Sequence, residues 1–264
     1  MFVADFDPNF ISLGPISIKW YSLAYIFGII VGFCYLAFLE KKYTLKLFSK
    51  KQLDDLMFKI VLGIILGGRF GYVLFYNLPY YLSNPIEALY VWQGGMSFHG
   101  GLIGLTIAVY LHSQKEKNGF LRNMDFLACA TPPGLFFGRI ANFINGELYG
   151  KITTSDFGII FPRGGMEPRH PSQLYEATLE GIVTFCILCY LVRIKSIREQ
   201  SGRLAASFMI CYGISRIIIE FFRIPDQHIG YLVSFVTMGQ LLSLPMILLG
   251  IYMILHKKNY FTRL

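Results

Sequence analysis

Seven predominantly apolar stretches, each of roughly 20 residues and separated by short polar loops, set the tightest limit on what this chain can become. They run about Trp20 to Leu39, Leu56 to Tyr76, Gly94 to His112, Phe126 to Ile144, Leu174 to Val192, Leu204 to Phe222 and Leu232 to Leu255. Each is long enough to cross a hydrocarbon layer as a helix, the one open-ended structure that satisfies its own backbone there. A composition of 54% hydrophobic and 15% charged residues, with a mean hydropathy of +0.50, lies outside the range of soluble domains. The expected fold is an all-α integral membrane protein, a seven-transmembrane-helix bundle forming one polytopic domain over residues 1–264.

Lysine and arginine orient the bundle, because short loops rich in them stay on the cytoplasmic side. One set of loops holds Lys41, Lys42, Lys46, Lys50, Lys51, Lys115, Lys117, Arg122, Arg193, Lys195, Arg198 and Arg203, and the tail adds Lys257, Lys258 and Arg263. The opposite side holds only Lys19, Lys151, Arg163, Arg169 and Arg223. The N-terminus is therefore expected outside and the C-terminus in the cytoplasm. The longest outer segment, about 146–172, is expected to form a small external cap, and its FGIIFPRGG run suggests a strand or hairpin.

The net charge of +8 sits in membrane-flanking loops, where it meets anionic headgroups, so membrane lipids are the expected partners and nucleic acid is not. The acidic N-terminus lacks the basic opening of a secretory signal, and the first helix is expected to stay in the mature protein. Cys34, Cys129, Cys186, Cys189 and Cys211 all fall in apolar segments, which indicates neither disulfides nor a zinc site, and no metal or cofactor is expected. Gly63, Gly67 and Gly71 make a small-residue stripe suited to close helix packing.

Against this background the run GRIANFINGELYG, Gly138 to Gly150, is conspicuous: an arginine, two asparagines and a carboxylate at the end of an apolar span. An arginine at membrane depth costs at least about 2.5–3.5 kcal/mol, so Arg139 should face the bundle interior. The derived topology sets Arg69 roughly 10 Å below the outer end of its span at 1.5 Å per residue. His99, in the glycine-rich GGMSFHGGLIG, enters from the same side, and Tyr212, Arg216 and Glu220 share one helix face at i, i+4, i+8. Arg69, His99, Arg139, Arg216 and Glu220 are thus expected to converge in the outer leaflet. Three arginines against two evident carboxylates, Glu147 and Glu220, would leave positive charge suited to a phosphate-bearing ligand. The plainer alternative is packing pairs, Arg216 with Glu220 and Arg139 with Glu147. Ser172 is expected to cap the helix that follows PRHPSQLYE, with Arg169 and His170 within reach of the same cavity.

GRIANFINGELYG, WQGGMSFHGGLIG, PRHPSQLYEA, YGISRIIIEFFR and GQLLSLPM together resemble, in order and across most of the chain, the bacterial phosphatidylglycerol:prolipoprotein diacylglyceryl transferase family. Ala141 stands where many members have glycine. The resemblance implies transfer of a diacylglyceryl group from phosphatidylglycerol to the lipobox cysteine of a prolipoprotein, in a bacterial inner membrane. It implies that Arg139 and Arg216 bind the phospholipid and its leaving group, and that His99 is the candidate base. Tyr21, Asn142, Glu147, Gly150, Tyr212 and Glu220 become the remaining site members. The rival expectation is a non-enzymatic transporter or binding protein for an anionic lipid-like ligand, which would distribute its polar groups toward both faces.

Overall fold

A computed structural model describes residues 2–13, 16–43, 49–115, 119–224, 231–233 and 236–256. Lys46, Lys117, Lys257, Lys258 and Arg263 lie outside the described residues. A short strand β1 (Phe2–Val3) and a hairpin of β2 (Asn9–Leu13) and β3 (Ile16–Lys19) lead into α1 (Trp20–Tyr43). Next come α2 (Lys50–Phe75), α3 (Leu78–Ser83), two single-turn 3₁₀ segments, α4 (Phe98–Lys115) and α5 (Phe120–Ile144). Strands β4 (Ile159–Ile160) and β5 (Pro168–Arg169) precede a long helical rod: α6 (Ser172–Glu176), a π-helical stretch over Ala177–Val183, and α7 (Thr184–Leu191). After α8 (Lys195–Arg198) and α9 (Arg203–Glu220), strands β6 (Tyr231–Val233) and β7 (Val236–Thr237) pair ahead of α10 (Met238–Leu255). The helical content is that of an all-α membrane protein. Trp20–Tyr43, Lys50–Phe75, Ser172–Leu191 and Met238–Leu255 are each long and apolar enough to cross a bilayer.

Local chemistry sets the helix starts. Ser49 and Gln52 form a reciprocal capping box at α2, with Ser49 N–H donating to Gln52 Oε1 at 2.7 Å and Gln52 N–H to Ser49 Oγ at 3.3 Å. Thr237 and Gln240 repeat the arrangement at α10. Gly202, which starts α9 at φ +88°, has no side chain to cap with. The fully buried Asp125 of α5 takes over, accepting from Gly202 N–H at 2.7 Å and Ala205 N–H at 2.9 Å.

The described residues group into two compact units. In the unit spanning 37–124, the glycine stripe finds its partner in α4: Cβ atoms at Gly63, Gly67 or Gly71 would collide with the backbone of Gly104 or Gly100. Such contact gains dispersion energy where burial from lipid gains little. The other unit comprises the described residues of 1–36 and 125–259. In it α1 lies against α5 where Gly28 meets the Gly134 backbone, and α10 meets α9 around Gly213 and Ile247.

Between α5 and α6 the chain builds a three-stranded sheet in the order β1-β4-β5, with β4 antiparallel to β5 and parallel to β1. Its anchor is the fully buried Phe161, between the rings of Phe143 at 5.8 Å and Tyr149 at 5.5 Å. Ser172 is the first residue of α6 rather than its cap. Its hydroxyl donates instead to the Leu148 carbonyl at 2.8 Å, drawn there by the turn that holds Leu148 at φ +56°.

Candidate functional site

The unit of residues 1–36 and 125–259 contains a buried ionic network that joins three segments of chain. From α5, Arg139 donates through Nε and Nη2 to Glu180 Oε2 at 3.2 and 3.1 Å, while its Nη1 lies 3.1 Å from Glu176 Oε2. From α9, Arg216 Nη1 donates to Glu176 Oε1 at 2.8 Å and to Glu180 Oε1 at 3.5 Å, and Nη2 donates to Glu220 Oε1 at 2.5 Å. Just past α9, Arg223 Nη1 donates to Glu176 Oε1 at 3.2 Å. Glu176 and Glu180 are fully enclosed. The Arg139 and Arg216 side chains retain 17% and 12% of their exposure, so neither is fully enclosed as the two carboxylates are.

This corrects the expected charge balance. Arg139, Arg216 and Arg223 face Glu176, Glu180 and Glu220, three cations to three anions, so no net positive charge is left over within the network. Arg69 adds none to it. Buried in the 37–124 unit, Arg69 donates to the carbonyls of Glu87, Ala88, Gly94 and Gly95 at 2.5–3.3 Å and lies 5.2 Å from the Tyr81 ring. Arg69 is a clasp for the loop that enters α4, whose Gly94 and Gly95 adopt positive φ. Its carbonyl acceptors satisfy the guanidinium without a carboxylate.

Of the two packing pairs weighed from sequence, Arg216 with Glu220 forms and Arg139 with Glu147 does not. Glu147 Oε1 accepts instead from Asn142 Nδ2 at 2.8 Å and Asn145 Nδ2 at 3.3 Å, shaping the turn after α5. Gly150 acts through its missing side chain: a Cβ there would sit 2.5 Å from the Phe222 carbonyl oxygen and 2.7 Å from that of His170. That space lets the turn pair with the segment carrying Arg223. Tyr212 lies within electrostatic reach of Arg139, Glu176, Glu180 and Arg216. Tyr21 receives a hydrogen bond from Tyr25 at 3.2 Å, and Tyr25 feels the charges of Arg139 and Glu147. Arg169 is held by the Gly164 carbonyl at 2.9 Å and lies 5.1 Å from the Tyr149 ring, beside the sheet, whereas His170 Nδ1 is 3.2 Å from the Tyr175 hydroxyl and its ring lies 5.2 Å from that of Phe222. His99 lies in the 37–124 unit, exposed, in the first turn of α4.

Glu176, Glu180 and Arg223 were not among the residues expected from sequence. The signal was there for the first two: Glu176 and Glu180 stand i, i+4 within one apolar segment, the same spacing that marked Arg216 and Glu220. Gly239, at the start of α10, leaves room for the Glu220 carboxylate, which any side chain there would strike. Tyr175, Thr178, Leu179, Ile218, Ile219 and Phe222, from the same rod and α9, line an open apolar groove of about 370 Å³. Among the described residues no group of three His, Cys, Asp or Glu side chains is placed to hold a metal ion.

Guanidinium groups locked by enclosed carboxylates, among helices long and apolar enough to cross a bilayer, define an integral-membrane protein with a buried polar centre. A sequence model of the prolipoprotein diacylglyceryl transferases matches residues 8–256, and the chain belongs to that family. It is similar to the phosphatidylglycerol–prolipoprotein diacylglyceryl transferase of Rickettsia typhi, 50% identical over 96% of this chain and 98% of that protein. The proteins of the same name from Azospirillum brasilense and Rhodospirillum rubrum are 52% and 50% identical, over 94% and 93% of this chain and 93% and 90% of theirs.

Proposed function

We propose that this protein transfers the diacylglyceryl group of phosphatidylglycerol to the lipobox cysteine thiol of a prolipoprotein, forming a thioether and releasing glycerol phosphate. The observation that carries the reading is the pair Arg139 and Arg216, each fixed by enclosed carboxylates yet not itself fully enclosed. A guanidinium has five N–H donors, and its fork fits phosphate oxygens. In the reaction the thiolate sulfur bonds to the glycerol carbon as that carbon's bond to the phosphate oxygen breaks, and the electron pair leaves with the phosphate. Donors already oriented toward that developing charge lower the barrier without reorganising. The carboxylates make this a question of orientation rather than of surplus charge.

The thiol has an ordinary pKa of about 8.5 and must lose its proton, a task His99 suits by its chemistry. Asn142, Glu147 and Gly150 hold the turn beside Arg139, and Tyr21 and Tyr212 complete the polar lining. The apolar groove beside Thr178 and Ile218 suits acyl chains. In this reading residues 1–264 form one polytopic domain of seven spans in a bacterial inner membrane. The N-terminus is outside, the C-terminus cytoplasmic and the site toward the outer leaflet, with the sheet around Phe161 as its external cap.

Purified protein incubated with labelled phosphatidylglycerol and a lipobox peptide should yield diacylglyceryl peptide. His99→Gln, Arg139→Ala and Arg216→Ala should each strongly reduce the yield, and full turnover in all three would defeat the assignment. Cytoplasmic labelling of an N-terminal tag would overturn the orientation.

A further inference from the structure

The rod from Ser172 to Leu191 is not uniform: between two α-helical ends its backbone widens into a π turn over Ala177–Val183. Such turns are rare and occur often at functional sites. One extra residue in a turn rotates the downstream side chains by about 100° relative to an unbroken α-helix of 3.6 residues per turn. The Thr184 backbone N–H donates to the carbonyls of Gly181 and Leu179, and two side-chain features accompany this widened turn. The fully buried Thr184 donates through Oγ1 to the Leu179 carbonyl, five residues back, at 2.8 Å. Thr178 shows the ordinary alternative, donating at 2.8 Å to Leu174 four residues back. Gly181 faces α5, where an added Cβ would lie 2.7 Å from Phe136 Cβ and 3.0 Å from Phe136 Cα. Phe136 is three residues before Arg139, so this close approach occurs beside the point where Glu180 receives Arg139.

We propose that the π turn is a positioning device for the reaction: Thr184 and Gly181 hold Glu180 in register with Arg139 and so fix the angle of that guanidinium. Neither residue is placed to touch a reacting atom, and both act through the carboxylate. The inference rests on the transferase reading of Arg139. The same turn lends Thr178 and Leu179 to the groove wall, so one backbone irregularity serves both the charged network and the groove.

Thr184→Val removes the hydroxyl and keeps the branched shape. In the full-length protein, with phosphatidylglycerol and a lipobox peptide, kcat should fall about tenfold, the loss of one enclosed hydrogen bond expressed in the barrier. KM for the peptide should stay unchanged and Tm should fall by no more than the loss of one hydrogen bond implies, and Thr184→Ser, which restores the hydroxyl, should recover Tm and bring kcat to within about threefold of wild type. Wild-type kcat in Thr184→Val, or a loss shared by kcat and Tm that serine does not restore, would overturn the proposal. Should Thr184→Val fail to accumulate as folded protein, Thr184→Ala is judged by the same criteria, and misfolding of both would mark the hydroxyl as structural and overturn it. Absence of product from the wild-type protein would instead defeat the transferase reading, and this inference with it.

Discussion

Glu176→Gln tests the ionic network most directly, because this one carboxylate meets three guanidinium groups: Arg216 at 2.8 Å, Arg139 at 3.1 Å and Arg223 at 3.2 Å. Glutamine keeps the volume and one carbonyl acceptor, so no cavity is opened. What changes is charge: three arginines would face two carboxylates, and an amide N–H₂ would point toward a guanidinium. Breaking a buried ion pair by removing one partner costs about 3–5 kcal/mol, since the remaining charge is stranded. Glu176 is fully enclosed, so water does not make up the loss. About 3 kcal/mol appearing in the barrier is roughly a hundredfold in rate at 1.36 kcal/mol per decade. The remainder should appear as a lower Tm. Product formation from labelled phosphatidylglycerol, measured beside thermal unfolding in the same detergent, reads both. Glu147→Gln is the comparison: its carboxylate is exposed and accepts only from asparagine amides, so it should cost about tenfold at most. Wild-type turnover and Tm in Glu176→Gln would refute the argument that enclosed carboxylates hold the arginines in place.

Asp125→Ala should strip α9 of its only described N-terminal side-chain cap and destabilise by about 1–3 kcal/mol, seen as faster amide exchange at Gly202 and Ala205. Gly67→Leu should separate α2 from α4, because the Gly100 carbonyl already occupies that space; loss of folded protein by size exclusion is the readout, and normal yield would count against the packing. Arg69→Lys keeps the charge but cannot span four carbonyls, so protease sensitivity should rise at 87–95, and an unchanged digestion pattern would show that the clasp is dispensable.

Much of the architecture was legible because its causes are local. Apolar length marked the helices, and Ser49–Gln52 shows in four residues why α2 begins where it does. The strand or hairpin expected from FGIIFPRGG is present as β4, which pairs antiparallel with β5 just beyond that run. The glycine stripe announced a close neighbour, though not that α4 would answer with Gly100 and Gly104. Arg69 was grouped with the other arginines because backbone carbonyls, which carry no signature in a sequence, can also take up a guanidinium's donors.

The sequence by itself determined that Arg139 and Arg216 belong in a polar interior, because lipid does not tolerate a bare guanidinium. It also offered Arg216 with Glu220 as a packing pair, since helix geometry sets residues four apart side by side, and that pair forms. Only the tertiary structure decided that Arg139 turns to Glu176 and Glu180 rather than to Glu147. That choice depends on how closely α5 approaches the α6 rod, a contact made between segments distant in the chain, with Gly181 against Phe136.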